Sequence, residues 1–344
     1  MGSNCVNIKP RRLPRAVTTI TPQRISFAGG GTDLPSFYKD YEGGVISSAI
    51  DQYVYVTVKR HSLLFQESYR LSYSKTEHVN KLDDIENCIA RECLRLVHVE
   101  PPLYIATVAD LPASSGLGSS SSFAVGLLHA LHLLRGERVS AGQLAEEACE
   151  VEINILGNPI GKQDQYAAAF GGLNHITFKR NGRVEIDHLV LRDNLIDEIF
   201  ANSLLMWTGI QRDASSVLLR QNENLPKQLN RYKSLSEDGL DCKRMLLDPP
   251  VDLLCQLGEL LEKTWKTKKQ LEESISSSEI DVIHMKIKSL GGYGGKLSGA
   301  GGGGFFYEII PRNLHAAVLD AYGSSKVLRV AYEPLGSRVL SELF

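Results

Sequence analysis

The chain has 344 residues, 43% of them hydrophobic, enough to bury a large core and, at ordinary domain size, to form two lobes with a cleft between them. Lysine and arginine total 38 against 40 acidic residues, and the net charge of −2 carries no polyelectrolyte signature for nucleic acid or an anionic membrane. No apolar run approaches the ~20 residues of a membrane span, and the six scattered cysteines never form a C-x-x-C pair, which argues against zinc and redox readings. The expected partner is a small molecule and the expected location cytoplasmic, since the basic start from Lys9 to Arg15 has no hydrophobic segment behind it.

Residues 16–27 and the alternating stretch 52–60, with Tyr53, Tyr55 and Thr57 set against Val54, Val56 and Val58, predict two strands joined through a glycine-rich turn. A further strand over 103–108 runs into Leu111-Pro112-Ala113-Ser114-Ser115-Gly116-Leu117-Gly118-Ser119-Ser120-Ser121-Ser122, and an apolar helical stretch over 123–134 follows. The spacing of Leu144, Ala148, Val151 and Ile155 predicts an amphipathic helix over 141–156. A short strand over 204–207 precedes a charged helical region over 214–290, broken near Asp248-Pro249-Pro250. The end reads as strand 305–309, helix 314–322 and strand 327–332. This order predicts an α+β architecture with a lobe boundary near residue 195, giving segments 1–195 and 196–344.

The loop at 111–122 carries the first chemical signal. Gly116 and Gly118 remove side chains where a backbone could approach a ligand, and Ser119 to Ser122 add hydroxyls at the expected helix start. Free amides and the dipole at a helix N-terminus favour anions, and serine hydroxyls can donate to phosphate or ligate magnesium. A serine-rich cap after a flexible turn explains the same residues. The dinucleotide pattern fails because Ser121 stands where its third glycine belongs, and no G-x-x-x-x-G-K-[ST] run occurs. Gly299 to Gly304 formally match G-x-G-x-x-G, but the strand that follows is the wrong context. That run reads either as a backbone approaching phosphates or substrate, or as a tight connection inside the core. His129 and His132 lack neighbours that would complete a ligand set and read as packing residues.

Three segments stand in order: Pro22-Gln23-Arg24-Ile25-Ser26-Phe27-Ala28-Gly29-Gly30-Gly31-Thr32-Asp33, the loop at 111–122, and Lys296-Leu297-Ser298-Gly299-Ala300-Gly301-Gly302-Gly303-Gly304. Together they resemble the GHMP kinase superfamily, which includes galactokinase, homoserine kinase, mevalonate kinase and phosphomevalonate kinase. The wording around Ser26 to Pro35, with Gly161-Lys162-Gln163-Asp164-Gln165-Tyr166-Ala167, is similar to the D-glycero-D-manno-heptose 7-phosphate kinases. The resemblance implies a ribosomal protein S5 domain 2-like N-terminal lobe and a ferredoxin-like C-terminal lobe. It implies ATP and Mg2+ as cofactors and phosphorylation of the anomeric hydroxyl of the heptose 7-phosphate, in GDP-heptose and surface polysaccharide synthesis. A fucose-like or mevalonate-type acceptor, or a silent sugar and nucleotide sensor, are the rivals.

Carried onto this sequence, the resemblance implies that Asp164 orients or deprotonates the acceptor hydroxyl and that Arg24 holds Asp164 as a carboxylate. A cap on the following helix is the plain alternative for Asp164. Pro112, Ser114, Ser115, Gly116, Leu117, Gly118, Ser119, Ser120 and Ser121 would hold ATP, and Ser120 with Glu152 would hold magnesium. Glu150 and Glu147 are the rivals of Glu152 if the helix is rotated. Gly30, Gly31, Thr32 and Asp33 would meet the sugar, Gly209, Gly301 and Gly302 would bind the substrate from the second lobe, and Arg212 or Lys162 would grip a sugar phosphate. The expected partners are a sugar phosphate and ATP, with a homodimer left open.

Overall fold

The computed structural model describes residues 12–192, 194–211 and 214–344. Cys5, Lys9 and Arg212 lie outside the described residues. Strands β1 (Ala16–Ala28) and β2 (Gly43–Arg60) pair antiparallel along most of their length. The second strand starts nine residues before the expected 52, because Gly43 and Gly44 belong to the strand and not to the turn. A Cβ on Gly43 would sit 2.0 Å from the Thr32 carbonyl oxygen, so glycine there serves close packing. The β1–β2 register slips between Pro22 and Gln23, directly before Arg24, as strand irregularities do beside functional sites.

Next come a short helix α1 (Pro35–Tyr38), strands β3 (Tyr69–Ser72) and β4 (Thr76–Val79), helix α2 (Cys88–Leu96) and β5 (Leu103–Ala109). Helices α3 (Ser119–Leu134), α4 (Ala141–Cys149) and α5 (Gln163–Phe170) pack on the sheet and on one another, and β6 (Leu173–Phe178) and β7 (Val184–His188) close the first lobe. The sheet order is β1-β2-β5-β3-β4, with β6 bridging β2 and β7 and a strand from the end of the chain, residues 338–343, on the outer side of β1. Its core is built on Val54, Val56 and Val58 of β2 and on Leu127, Leu128, Leu131 and Leu134 of α3. The helix expected over 141–156 stops being α at Cys149 and continues as a π-turn over Glu150–Ile155. His132 is buried with its two ring nitrogens 2.7 Å from Glu137 and Glu147, a structural arrangement, and His129 meets Ser337.

The second lobe contains α6 (Leu195–Ala201), β8 (Ser203–Trp207), α7 (Ala214–Leu247), α8 (Leu253–Lys269), α9 (Ser278–Ser289), β9 (Gly294–Leu297), β10 (Phe305–Ile309), α10 (His315–Tyr322) and β11 (Val327–Leu328). Its antiparallel sheet runs β11-β8-β10-β9, helices connect its first strand to its second and its third to its fourth, and this is the ferredoxin-like arrangement. The helical break falls at the expected prolines, between Leu247 and Leu253. The strand expected over 327–332 ends at Leu328, and Tyr332 instead bridges Ile50 of the first lobe. The final strand β12 (Arg338–Leu343) pairs with β1, so residues 338–343 complete the first sheet. A shared apolar seam joins the lobes: Ile25, Phe27 and Leu117 pack with Leu257, Phe305 and Tyr307, and the Phe27 and Tyr307 rings meet edge to face at 5.5 Å. Among the described residues no helix is long and apolar enough to cross a membrane.

One charge in the second lobe works against folding. Glu308 of β10 is buried beside Glu262 of α8 and His284 of α9, and neither of its oxygens has a hydrogen bond among the described residues. Burial, and then the Glu262 charge, push its pKa well above the ordinary value; Lys288 opposes this. A folded pKa above the unfolded one contributes stability below the unfolded value and loses it as pH rises. The neutral isostere Glu308→Gln should therefore raise Tm by about 2 °C or more at pH 8, with the gain shrinking as pH falls towards 4.5. A gain equal at both pH values in a thermal melt would show that Glu308 does not titrate in this way.

Candidate active site

The three sequence segments meet at one cleft of about 280 Å³ between the lobes. On the first-lobe side β5 leads into the glycine-serine loop, and helix α3 begins at Ser119, four residues before the expected start. Its cap, Gly118, has φ +82, a left-handed backbone that favours glycine. Ser114, Gly116, Gly118, Ser119, Ser120 and Ser121 line the cleft. Pro112, Ser115 and Leu117 do not line it. The Ser115 carbonyl accepts the Phe305 amide at 3.2 Å, and Leu117 sends its side chain into the inter-lobe core while its carbonyl accepts the Arg24 amide. Those residues shape the loop from behind.

Arg24 and Asp164 form the centre. The Arg24 guanidinium donates Nε–H and Nη2–H to the two Asp164 oxygens at 2.8 Å each, and Nη1–H to the Gly116 carbonyl at 2.7 Å. Such a fork fixes the orientation of the carboxylate. Asp164 lies in the first turn of α5 but makes no capping bond, so the plain reading of this aspartate as a helix cap fails. It also lies against the phosphate loop: a Cβ placed on Gly118 would come 3.3 Å from Asp164 Oδ2. Arginine, carboxylate and loop backbone thus form one continuous contact.

The π-turn brings Glu152 inward, where it is 1% exposed. Ser120 Oγ donates to its Oε1 at 3.0 Å and Gln165 Nε2 to its Oε2 at 2.7 Å. Burial pushes its pKa up to about 7, opposed by the nearby Ser121 hydroxyl and by the Gln165 and Ser120 hydrogen bonds. Glu147 is occupied by His132, and Glu150 by Asn154, so neither rival shares this place. A π-turn displaces the helix register locally, a device common at functional sites.

In the glycine-rich turn, Gly30, Gly31 and Asp33 line the cleft. Asp33 accepts the Gly31 amide at 3.0 Å and the Gln163 amide at 3.3 Å, and burial followed by the Asp164 charge raises its pKa. Thr32 is corrected: it is fully buried, its hydroxyl donating to the Gly29 carbonyl at 2.7 Å and accepting the Gly44 amide at 3.0 Å, so it holds the turn and not a ligand. Lys162 is corrected too, since its ammonium donates to the Gly182 carbonyl at 3.0 Å near Glu146, away from the cleft. Gly209 faces open space off the cleft. The second-lobe glycine run reaches the cleft at Gly299 and Ala300. Gly301 and Gly302 pack on Ile275, and the Gly302 amide donates to the Ile275 carbonyl at 2.8 Å, which is the tight-connection reading.

Sequence reasoning missed two cations of the same cleft. Lys268 of α8 donates to the Gly299 carbonyl, and Lys296 of β9 to the Phe27 carbonyl at 3.3 Å; both are buried. Burial, and then Arg24, hold the Lys268 ammonium down to about 8; burial, followed by Lys268 and Arg24, takes Lys296 well below its ordinary value. Lys296 opens the third motif, which is a signal in retrospect. Lys268 sits in a basic helix end, Lys266 to Lys269, that reads as a solvated face.

Residues 84–172 match the family described as GHMP kinases N terminal domain. A D-glycero-alpha-D-manno-heptose 7-phosphate kinase of Campylobacter jejuni is 32% identical over 311 residues, covering 86% of this chain and 90% of its own. A D-glycero-D-manno-heptose 1-phosphate kinase from Bacteroides thetaiotaomicron shares the fold, with TM-score 0.76, 24% identity and coverage of 94% and 99% of the two chains. A Lactococcus lactis galactokinase complexed with galactose also shares it, with TM-score 0.72, 17% identity and coverage of 94% and 95%. With a phosphate-type loop set against an ion-paired carboxylate and these likenesses along nearly its whole length, the chain belongs to the GHMP kinases and uses ATP to phosphorylate a sugar hydroxyl.

Proposed function

We propose that this kinase phosphorylates the anomeric (C1) hydroxyl of D-glycero-D-manno-heptose 7-phosphate, giving the 1,7-bisphosphate for GDP-heptose and surface polysaccharide synthesis in the cytoplasm. The observation that carries the mechanism is the contact of Asp164 with the phosphate loop at Gly118. The named relative from Campylobacter jejuni supports the acceptor. Main-chain amides and hydroxyls from Ser114 to Ser121 receive the nucleotide phosphates at the start of α3. The sugar lies over Gly30, Gly31 and Asp33, with its acceptor hydroxyl at Asp164. Each Asp164 oxygen keeps a lone pair beyond the Arg24 bond, so the carboxylate accepts the proton as the hydroxyl oxygen attacks. Positioning and charge do the rest, because phosphoryl transfer asks little covalent help from the protein. In this reading the segment 1–195, its sheet completed by residues 338–343, carries the nucleotide loop, and the rest of 196–344 closes the cleft from the other side.

Magnesium fits the residues present. Glu152 is a buried carboxylate with hydroxyl and amide neighbours and no ion pair among the described residues, and with Ser120 it offers the hard oxygen donors this cation takes alongside nucleotide phosphates. Bound there, the cation would neutralise phosphate oxygens. The test is ADP release from ATP with heptose 7-phosphate, a fucose-like sugar and mevalonate as acceptors, each with magnesium and with excess chelator. Magnesium-dependent turnover is expected to be fastest on heptose 7-phosphate. If that sugar is left unphosphorylated while another acceptor turns over, the substrate assignment is lost.

A further inference from the structure

We propose that Lys268 and Lys296, with the Ser26 hydroxyl, bind the phosphate that the acceptor sugar itself carries. This inference rests on the preceding one only in taking the acceptor to be a phosphorylated sugar. Of the two residues expected to grip that phosphate, Lys162 points away from the cleft and Arg212 lies outside the described residues. The lysines are 8% and 4% exposed, and both line the cleft. Each donates to a main-chain carbonyl, of Gly299 and of Phe27, which leaves two further N–H groups per ammonium.

Neither has an ion pair with a carboxylate among the described residues. The cleft holds Arg24, Lys268 and Lys296 against Asp33 and Asp164, and the arginine is committed to Asp164. Of the carboxylates that act on the two ammonium groups, Asp164 is taken by Arg24 and Asp238 by Lys263, which leaves Asp33 beside Lys268 alone, and a buried cation without a counter-charge is costly. The depressed pKa values of both lysines express that cost. Ser26 adds a second observation, because its hydroxyl lines the same cleft, is itself shielded from solvent and has no hydrogen-bond partner among the described residues. An anion would answer all three groups at once.

Two phosphates could supply that chemistry, the transferring group of ATP or the sugar's own, and position favours the second. The nucleotide phosphates have the amides and hydroxyls of the first-lobe loop and the α3 N-terminus. The lysines rise from α8 and β9, on the second-lobe wall; Lys268 holds Gly299, which abuts Gly116 of the first-lobe loop, and Lys296 reaches Phe27, next to the glycine turn on which the sugar is placed.

Inorganic phosphate serves as the probe, with the whole chain held in magnesium and a saturating non-hydrolysable ATP analogue so that the nucleotide positions are filled. Phosphate is expected to raise Tm of the parent chain, and Lys268→Met with Lys296→Met should weaken that effect about tenfold or more in phosphate concentration. The single variants Lys268→Met and Lys296→Gln give the same readout should the double variant not fold. Protection that vanishes in the parent once the analogue is bound assigns the lysines to the nucleotide and overturns the proposal, as does undiminished protection in the variants. Because this measurement needs no sugar, its outcome is separate from the acceptor panel, which alone tests the heptose reading.

Discussion

Asp164→Asn is expected to lower kcat by roughly 10²–10⁴-fold, the range removed with a general base, while KM for ATP stays within a few-fold. The amide keeps the shape of the carboxylate and its place against Gly118, but it cannot take the acceptor proton. The substitution has a second consequence. The Arg24 side chain is 4% exposed, and without its partner it becomes an uncompensated buried charge, a loss of about 3–5 kcal/mol in comparable cases. Tm should therefore fall along with kcat. The two effects separate in the double variant Arg24→Met with Asp164→Asn, which removes the stranded cation: Tm should recover and kcat should not. ADP release by Asp164→Asn at the parent rate would remove the proton-acceptor role outright.

The parts of this site that were legible from sequence are those made of a local pattern. Glycines and serines before an apolar helix reveal an anion loop because the helix N-terminus and the small residues are contiguous in the chain. The pairing of Arg24 with Asp164 spans 140 residues, and only the ordered motifs of a known family brought the two together in advance. Glu152 belongs to the stretch whose spacing predicts an α-helix; it reaches Ser120 because the helix passes into a π-turn, a change no apolar spacing announces. Thr32 and Lys162 were misassigned for a common reason. Both have polar groups that satisfy main-chain partners, and sequence shows a donor or acceptor without showing who answers it. The strand at 338–343 was missed because its partner β1 lies more than three hundred residues away and its own pattern is that of a half-exposed edge. Lys268 and Lys296 stayed hidden because burial of a lysine is a tertiary fact.

Gly299→Ala should have an effect nearly as large as loss of Asp164, although Gly299 contributes no side chain to the chemistry. Its φ is +68, and an added Cβ would lie 2.7 Å from Gly116 Cα and 2.8 Å from the Gly116 carbonyl oxygen, both main-chain atoms. Neither can rotate away, so the second-lobe loop and the phosphate loop must separate. Gly116 also carries the carbonyl that holds Arg24, so the displacement passes directly to the Arg24–Asp164 pair. Misplacement of reacting groups by about 1 Å costs on the order of 10²-fold, and a drop of that size in kcat/KM is the expected result, with a lower Tm. Gly209→Ala is the matched comparison: its φ of +77 is equally left-handed, but nothing stands within 4 Å of an added Cβ. It should lose only the roughly 1–2 kcal/mol of backbone strain and keep kcat/KM. Retained kcat/KM in Gly299→Ala would show that the backbone seam does not position the phosphate loop. A loss in Gly209→Ala would return Gly209 to the substrate, as the family resemblance implies.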